Sequence, residues 1–134
     1  MWRLTLARGV LSIMSAEYSC NVRGLAGNLS DLTMVSSQYD ILFCSETLVS
    51  DMRHVSELLV PEFGRPVLLC RRKIPRARGM AAYVRDGYGA FHQPKLECGC
   101  SEMHFFKVCG VRQNLYVFSL YHNPDLDEQV LIVY

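Results

Sequence analysis

The sequence predicts a layered domain of mixed strand and helix, of the α/β or α+β class, and three observations carry that expectation. A strand, helix, strand succession can be read from residue 11 to 45, and a series of loosely alternating apolar segments follows from residue 79 to 121. Half of the 134 residues are hydrophobic, enough to bury a sizeable core and to argue against disorder. The net charge of +1 gives no argument for a nucleic-acid partner, so only local clustering of charge can supply one. The six cysteines, Cys20, Cys44, Cys70, Cys98, Cys100 and Cys109, lie mostly in apolar, strand-like contexts, as reduced core thiols do, and suggest an intracellular protein.

Residues 1 to 10 read as a poorly defined extension. Arg3 and Arg8 interrupt the apolar residues of Met1 to Ala16, so neither a signal peptide nor a membrane span is expected. Leu11, Ile13 and Met14, then Ala16, Tyr18 and Cys20, fit a first strand that ends at Asn21. A glycine-punctuated turn, Asn21 to Asn28, leads into a helix that Asn28 or Ser30 can cap, with Leu29, Leu32, Val35 and Ser36 at helical spacing up to Tyr39. Ile41 to Cys44 is a continuous apolar run, the mark of a strand buried on both faces. A right-handed crossover then sets the two strands side by side.

That second strand, within Asp40 to Thr47, delivers Glu46 at its C-terminal mouth, where layered α/β proteins collect ligands. Asn21 stands at the neighbouring strand end. Two such polar groups can share a cation or a phosphate oxygen. The alternatives stay open: an Asx-turn at Asn21 and a solvated strand end at Glu46.

Met52, Val55, Leu58 and Leu59 keep helical spacing between Val49 and Val60, with Ser50 or Asp51 as the start and Pro61 and Gly64 beyond the end. Val67 to Cys70 is a short strand. Five of the next eight residues are cationic, Arg71, Arg72, Lys73, Arg76 and Arg78, and composition leaves a solvated loop, a nuclear-localisation patch and a phosphate contact all open. Gly79 to Arg85 predicts a strand and Asp86-Gly87 a hairpin turn. A strand from Glu102 to Val108 would place Met103, Phe105 and Lys107 on one face and His104, Phe106 and Val108 on the other. Gly110 to Gln113 turns the chain into a last strand, Leu115 to Tyr121. Cys98, Cys100, His104 and Cys109 offer a zinc set, a minor reading because the two leading cysteines have one intervening residue instead of two. Cys44, buried in a strand, has no access to substrate as a nucleophile.

Four motifs in order carry a resemblance: Asn21-Val-Arg23-Gly-Leu25, Asp40 to Thr47, Gly79-Met-Ala-Ala-Tyr-Val84, and Val117-Phe-Ser-Leu-Tyr121-His-Asn-Pro124. Together they resemble the endonuclease/exonuclease/phosphatase superfamily. More narrowly, they resemble the N-terminal endonuclease domain of non-LTR retrotransposon polyproteins of the LINE or RTE kind. The resemblance covers roughly residues 11 to 125, with 126 to 134 left as an apolar tail. It implies about the N-terminal half of a four-layer αββα sandwich that cuts DNA phosphodiester bonds with Mg²⁺, or with Mn²⁺ in its place.

In that family pattern Glu46 matches the metal-binding glutamate, Asn21 the asparagine that orients phosphate and metal-bound groups, and Tyr121 the tyrosine at the scissile phosphate. Arg71, Arg72, Lys73, Arg76 and Arg78 fall where relatives approach DNA. Arg23, a further DNA contact on this pattern, stands where several relatives carry an acid near the metal. The family's Asp-x-Asn motif, with its water-activating aspartate, and its terminal Asp-His pair find no match in this chain. The resemblance therefore implies a partial domain, weak or inactive alone, whose full-length relatives add a C-terminal half and a reverse transcriptase. It implies an intracellular protein, nuclear if functional, that supplies one of the family's two sheets with its helices and whose uncovered sheet face is a liability for self-association. A non-catalytic nucleic-acid-binding or protein-interaction remnant using the basic loop is the alternative. A phosphatase acting on phosphorylated lipids is a third.

Overall fold

The structure, a computed structural model, describes residues 17–50, 55–69, 78–97, 102–109 and 114–121. The class is mixed α and β, mostly strand. Among the described residues, seven strands and one α-helix follow the order β1 (Glu17–Asn21), α1 (Leu29–Ser36), β2 (Ile41–Ser45), β3 (Val67–Leu69), β4 (Met80–Val84), β5 (Ala90–His92), β6 (Glu102–Cys109) and β7 (Asn114–Tyr121). The strands form two sheets, ordered β1-β2-β4-β3 and β5-β6-β7.

β1 and β2 are parallel and in register from Glu17 opposite Ile41 to Asn21 opposite Ser45, as the strand, helix, strand reading predicts. β4 runs antiparallel to β2 and to β3. β6 and β7 form a long antiparallel pair, with Glu102 opposite Tyr121 at one end and Cys109 opposite Asn114 at the other.

The apolar run of β2 is buried because both its faces are covered. Leu42 and Cys44 join Leu25, Leu32, Leu58, Ala81 and Tyr83 in a core on the helix side of the first sheet. Ile41 and Phe43 turn the other way, into a second core with Ala82, Phe106, Val108 and Val117. That second core is the contact between the two sheets, and the rings of Phe43 and Phe106 meet edge to face there, 5.9 Å apart. The expectation of a single sheet is corrected accordingly: the chain supplies strands to two sheets that pack against each other. Along β6 the predicted alternation shows in the burial from His104 onward, with His104, Phe106 and Val108 buried and Phe105 and Lys107 partly exposed, while Met103 on the latter face is buried as well.

Three local expectations change. The helix predicted from Val49 to Val60 is, among the described residues, irregular backbone from 46 to 50 and then one turn of 3₁₀ helix, Val55–Leu58. Asp86-Gly87 makes a turn, but it hands the chain from β4 in one sheet to β5 in the other and does not close a hairpin. Asn28 sits at the start of α1 without capping it; its Nδ2 donates to the carbonyls of Val22 and Gly24, both at 2.9 Å, and so clamps the preceding loop. The first strand is described only from Glu17. Residues 1–16, Cys70 and the 126–134 tail lie outside the described residues.

Candidate functional site

The two parallel strands do not diverge where they end. Val22 N–H donates to the Ser45 carbonyl (3.0 Å), Gly24 N–H to that of Glu46 (2.8 Å) and Leu25 N–H to that of Thr47 (2.9 Å), so the loops leaving β1 and β2 stay laced together. The lacing bends the backbone. Arg23, Glu46 and Leu48 have φ of 46°, 53° and 58°, three of the four non-glycine positive-φ residues among those described. Such conformations cost on the order of 1–3 kcal/mol each and concentrate where a scaffold holds functional groups.

Glu46 is thereby presented, half-buried, at the mouth between the two sheets. From the second sheet Tyr121, the last residue of β7, donates its hydroxyl to Glu46 Oε1. Asn21 also hydrogen-bonds to the Glu46 carboxylate, while its Oδ1 accepts the Arg23 N–H at 3.1 Å. The Asx-turn and the ligand-facing role thus coexist in one side chain. The Tyr121 hydroxyl, the Asn21 amide and the charges of Arg78 and Arg23 outweigh burial and hold the Glu46 carboxyl below the usual carboxylate range. Burial and the Glu46 carboxylate push the Tyr121 phenol well above its ordinary value, so it remains a donor at neutral pH. Beside this mouth an open cleft runs between Gly24 and Leu25 on one loop and Thr47 and Leu48 on the other.

The inner face of the second sheet turns polar as it approaches the same end. On β6 the inward residues run Val108, Phe106, His104, Glu102, and on β7 Val117, Ser119, Tyr121, all buried. Glu102, 5% exposed, accepts the backbone N–H groups of Arg78 (3.0 Å) and Gly79 (2.7 Å) on Oε1. Burial raises its carboxyl in spite of those two donors. Sequence reasoning passed over Glu102 as a strand start. Its parity with His104, Phe106 and Val108 was the available signal, since residues two apart on a strand share a face.

Of the basic residues, Arg71, Arg72, Lys73 and Arg76 lie outside the described residues, whereas Arg78 is partly buried and Arg23 exposed, both acting on the Glu46 carboxylate. The zinc reading loses its geometry: Cys98 and Cys100 lie outside the described residues, and His104 and Cys109 project from opposite faces of β6, one buried and one exposed. Among the described residues no group of three or more His, Cys, Asp or Glu could hold a metal ion. A lone ionised carboxylate flanked by an amide does fit a hard cation that keeps its waters and shares substrate phosphate, the habit of Mg²⁺, and it does not fit a closed zinc cage. Cys44 is buried, and the neighbouring Cys20 and its burial both push its thiol well up, as an inert core cysteine requires. Among the described residues no helix is long and apolar enough to cross a membrane.

Searches of the chain against models of known protein families and against curated proteins find no match.

Proposed function

We propose that this mouth is the metal-anchoring and phosphate-orienting part of a Mg²⁺-dependent DNA phosphodiesterase. The chain would then be the N-terminal portion of an endonuclease of the endonuclease/exonuclease/phosphatase type, as found in retrotransposon polyproteins, within a four-layer αββα architecture. One observation carries the proposal. Asn21 ends β1, Glu46 directly follows β2 and Tyr121 ends β7 of the other sheet, and the three meet in a single hydrogen-bonded cluster. Packing alone gives no reason to gather an acid, an amide and a phenol where strand ends are strained.

Glu46 and Asn21 would hold the cation, which when bound supplies charge stabilisation to the transferring phosphoryl group. Glu46 is suited to this because its carboxyl stays ionised into the acid range. The Tyr121 hydroxyl and the Asn21 amide present donors to developing negative charge without needing to reorganise. Arg23 and Arg78 add positive charge at the mouth and would position a phosphate backbone without reading sequence. No residue here is assigned to activating water, a role worth about 10² to 10⁴ in rate, so turnover is expected to be slow.

Nicking of supercoiled plasmid by the purified chain with Mg²⁺ tests the proposal. Slow nicking lost both in EDTA and in Glu46→Ala is the expected result. A folded sample that binds DNA with steep salt dependence, unchanged by Glu46→Ala and without nicking, would replace catalysis by arginine-driven binding.

A further inference from the structure

The buried carboxylate of Glu102 has no part in the function just proposed, and its placement is unusual. A charged group 5% exposed must find donors, and the two it finds are backbone amides, Arg78 N–H at 3.0 Å and Gly79 N–H at 2.7 Å. Those same two residues turn their carbonyls toward the segment after Glu46: Thr47 N–H donates to Gly79 O at 3.2 Å and Leu48 N–H to Arg78 O at 2.9 Å. Gly79, with φ 89°, has the Thr47 hydroxyl so near that a β-carbon there would run into it. Glu102 on the second sheet thus grips a loop of the first sheet, and that loop grips the left-handed backbone on the C-terminal side of Glu46.

We propose that Glu102 is a positioning residue: by accepting the Arg78 and Gly79 amides it fixes the 78–79 loop, and through it the 46–48 backbone that presents Glu46 to Tyr121 and Asn21. The role requires an acceptor oxygen at this place and does not require a negative charge. Deepening the proposed phosphodiesterase site, it rests on that proposal only for its effect on activity. Its structural half stands on the hydrogen bonds alone.

The acceptor requirement gives a sharp comparison. Glu102→Gln keeps an oxygen able to accept both amides, whereas Glu102→Ala removes it and leaves two buried donors. Amide hydrogen exchange by NMR on the full chain is the first readout. Thr47, Leu48 and Gly79 should exchange at least about tenfold faster in Glu102→Ala, with Leu42 and Tyr83 unchanged, and should remain protected in Glu102→Gln. Plasmid nicking with Mg²⁺ is the second. It should fall about 10²-fold in Glu102→Ala, as expected when a reacting group shifts by about an ångström, and should be largely kept in Glu102→Gln.

Equal loss of protection in the two variants, or acceleration spread evenly over β2 and β4, would overturn the positioning role. If Glu102→Ala does not fold, the Gln variant decides alone: lost local protection sinks the proposal and retained protection supports it. Absent nicking in the unmodified chain counts against the phosphodiesterase site and leaves the exchange comparison intact.

Discussion

At the scale of single residues, the ionisable groups of the sandwich interior make opposed contributions to stability as pH changes. Burial pushes the His104 imidazole down to about 3 from an ordinary 6.5; the neighbouring His92 adds to the effect, and His104 Nδ1 has no hydrogen-bond partner among the described residues. A folded-state value below the unfolded one means that the unfolded chain takes up the proton first. The stability associated with neutral His104 is therefore complete above pH 6.5 and is lost as pH falls toward 3. Glu46, also lowered, loses its contribution only below the ordinary glutamate value of 4.5, and Glu102, raised by burial, has the opposite sign. Because Glu102 acts in the opposite sense above pH 4.5, the histidine's share, about 1.5 kcal/mol between pH 6.5 and 5, is read as the difference between the parent chain and a variant that lacks the imidazole. Urea unfolding of His104→Phe at those two pH values should show that increment missing, because a ring of similar shape has no proton to take up. An unchanged pH increment would mean that His104 is charged or solvated in the folded state.

At the scale of elements, β2 shows what the sequence could reveal. Four consecutive apolar residues specify a strand covered on both sides, and the two cores on either side of Ile41 to Cys44 are what cover it. Parallel pairing with β1 followed from the length of the crossover, and so did the meeting of Asn21 with the Glu46 strand end. The helix after Glu46 was misread for a physical reason. Thr47 and Leu48 give their N–H groups to Gly79 and Arg78, a tertiary pairing that no local periodicity records, and the left-handed Leu48 cannot begin a helix. Val55 and Leu58 still use their spacing, as buried residues of one 3₁₀ turn, while Leu59 is left 46% exposed. Glu102 escaped for a related cause, since its partners are backbone amides more than twenty residues away.

The Gly79 crossing makes this pairing testable as an element. Gly79→Ala places a β-carbon against Thr47 Oγ1 and forces a side chain into φ 89°, so a loss of about 1–3 kcal/mol in urea unfolding is expected. Thr47→Ala in that background should recover part of the loss, because the hydroxyl it deletes is buried and makes no hydrogen bond among the described residues. No recovery would show that the backbone strain, not the crossing, carries the whole cost.

At the scale of the molecule, the candidate site exists only while the two sheets stay packed. Glu46 belongs to the end of the first sheet and Tyr121 to the end of the second, so their hydrogen bond spans the sandwich, as does the grip of Glu102 on Gly79. What holds the sheets together is apolar: Phe43 and Ile41 against Phe106, Val108 and Val117. Phe106, 1% exposed, touches Phe43 edge to face, and on its own strand its inward neighbours are Val108 on one side and His104 on the other. Phe106→Ala should therefore cost about 3–5 kcal/mol, the usual penalty for truncating a buried ring. That is a large share of the roughly 5–15 kcal/mol that holds a small domain folded. The mode of loss is more informative than its size. If the sheets form one cooperative unit, far-UV circular dichroism and tyrosine fluorescence should report a single urea transition, shifted to lower midpoint with an unchanged slope. Tyrosine suits this measurement because Tyr83 lies in the helix-side core and Tyr121 at the mouth between the sheets. Two separated transitions would mean that each sheet melts by itself, and a site assembled from both would then be lost before either sheet unfolds.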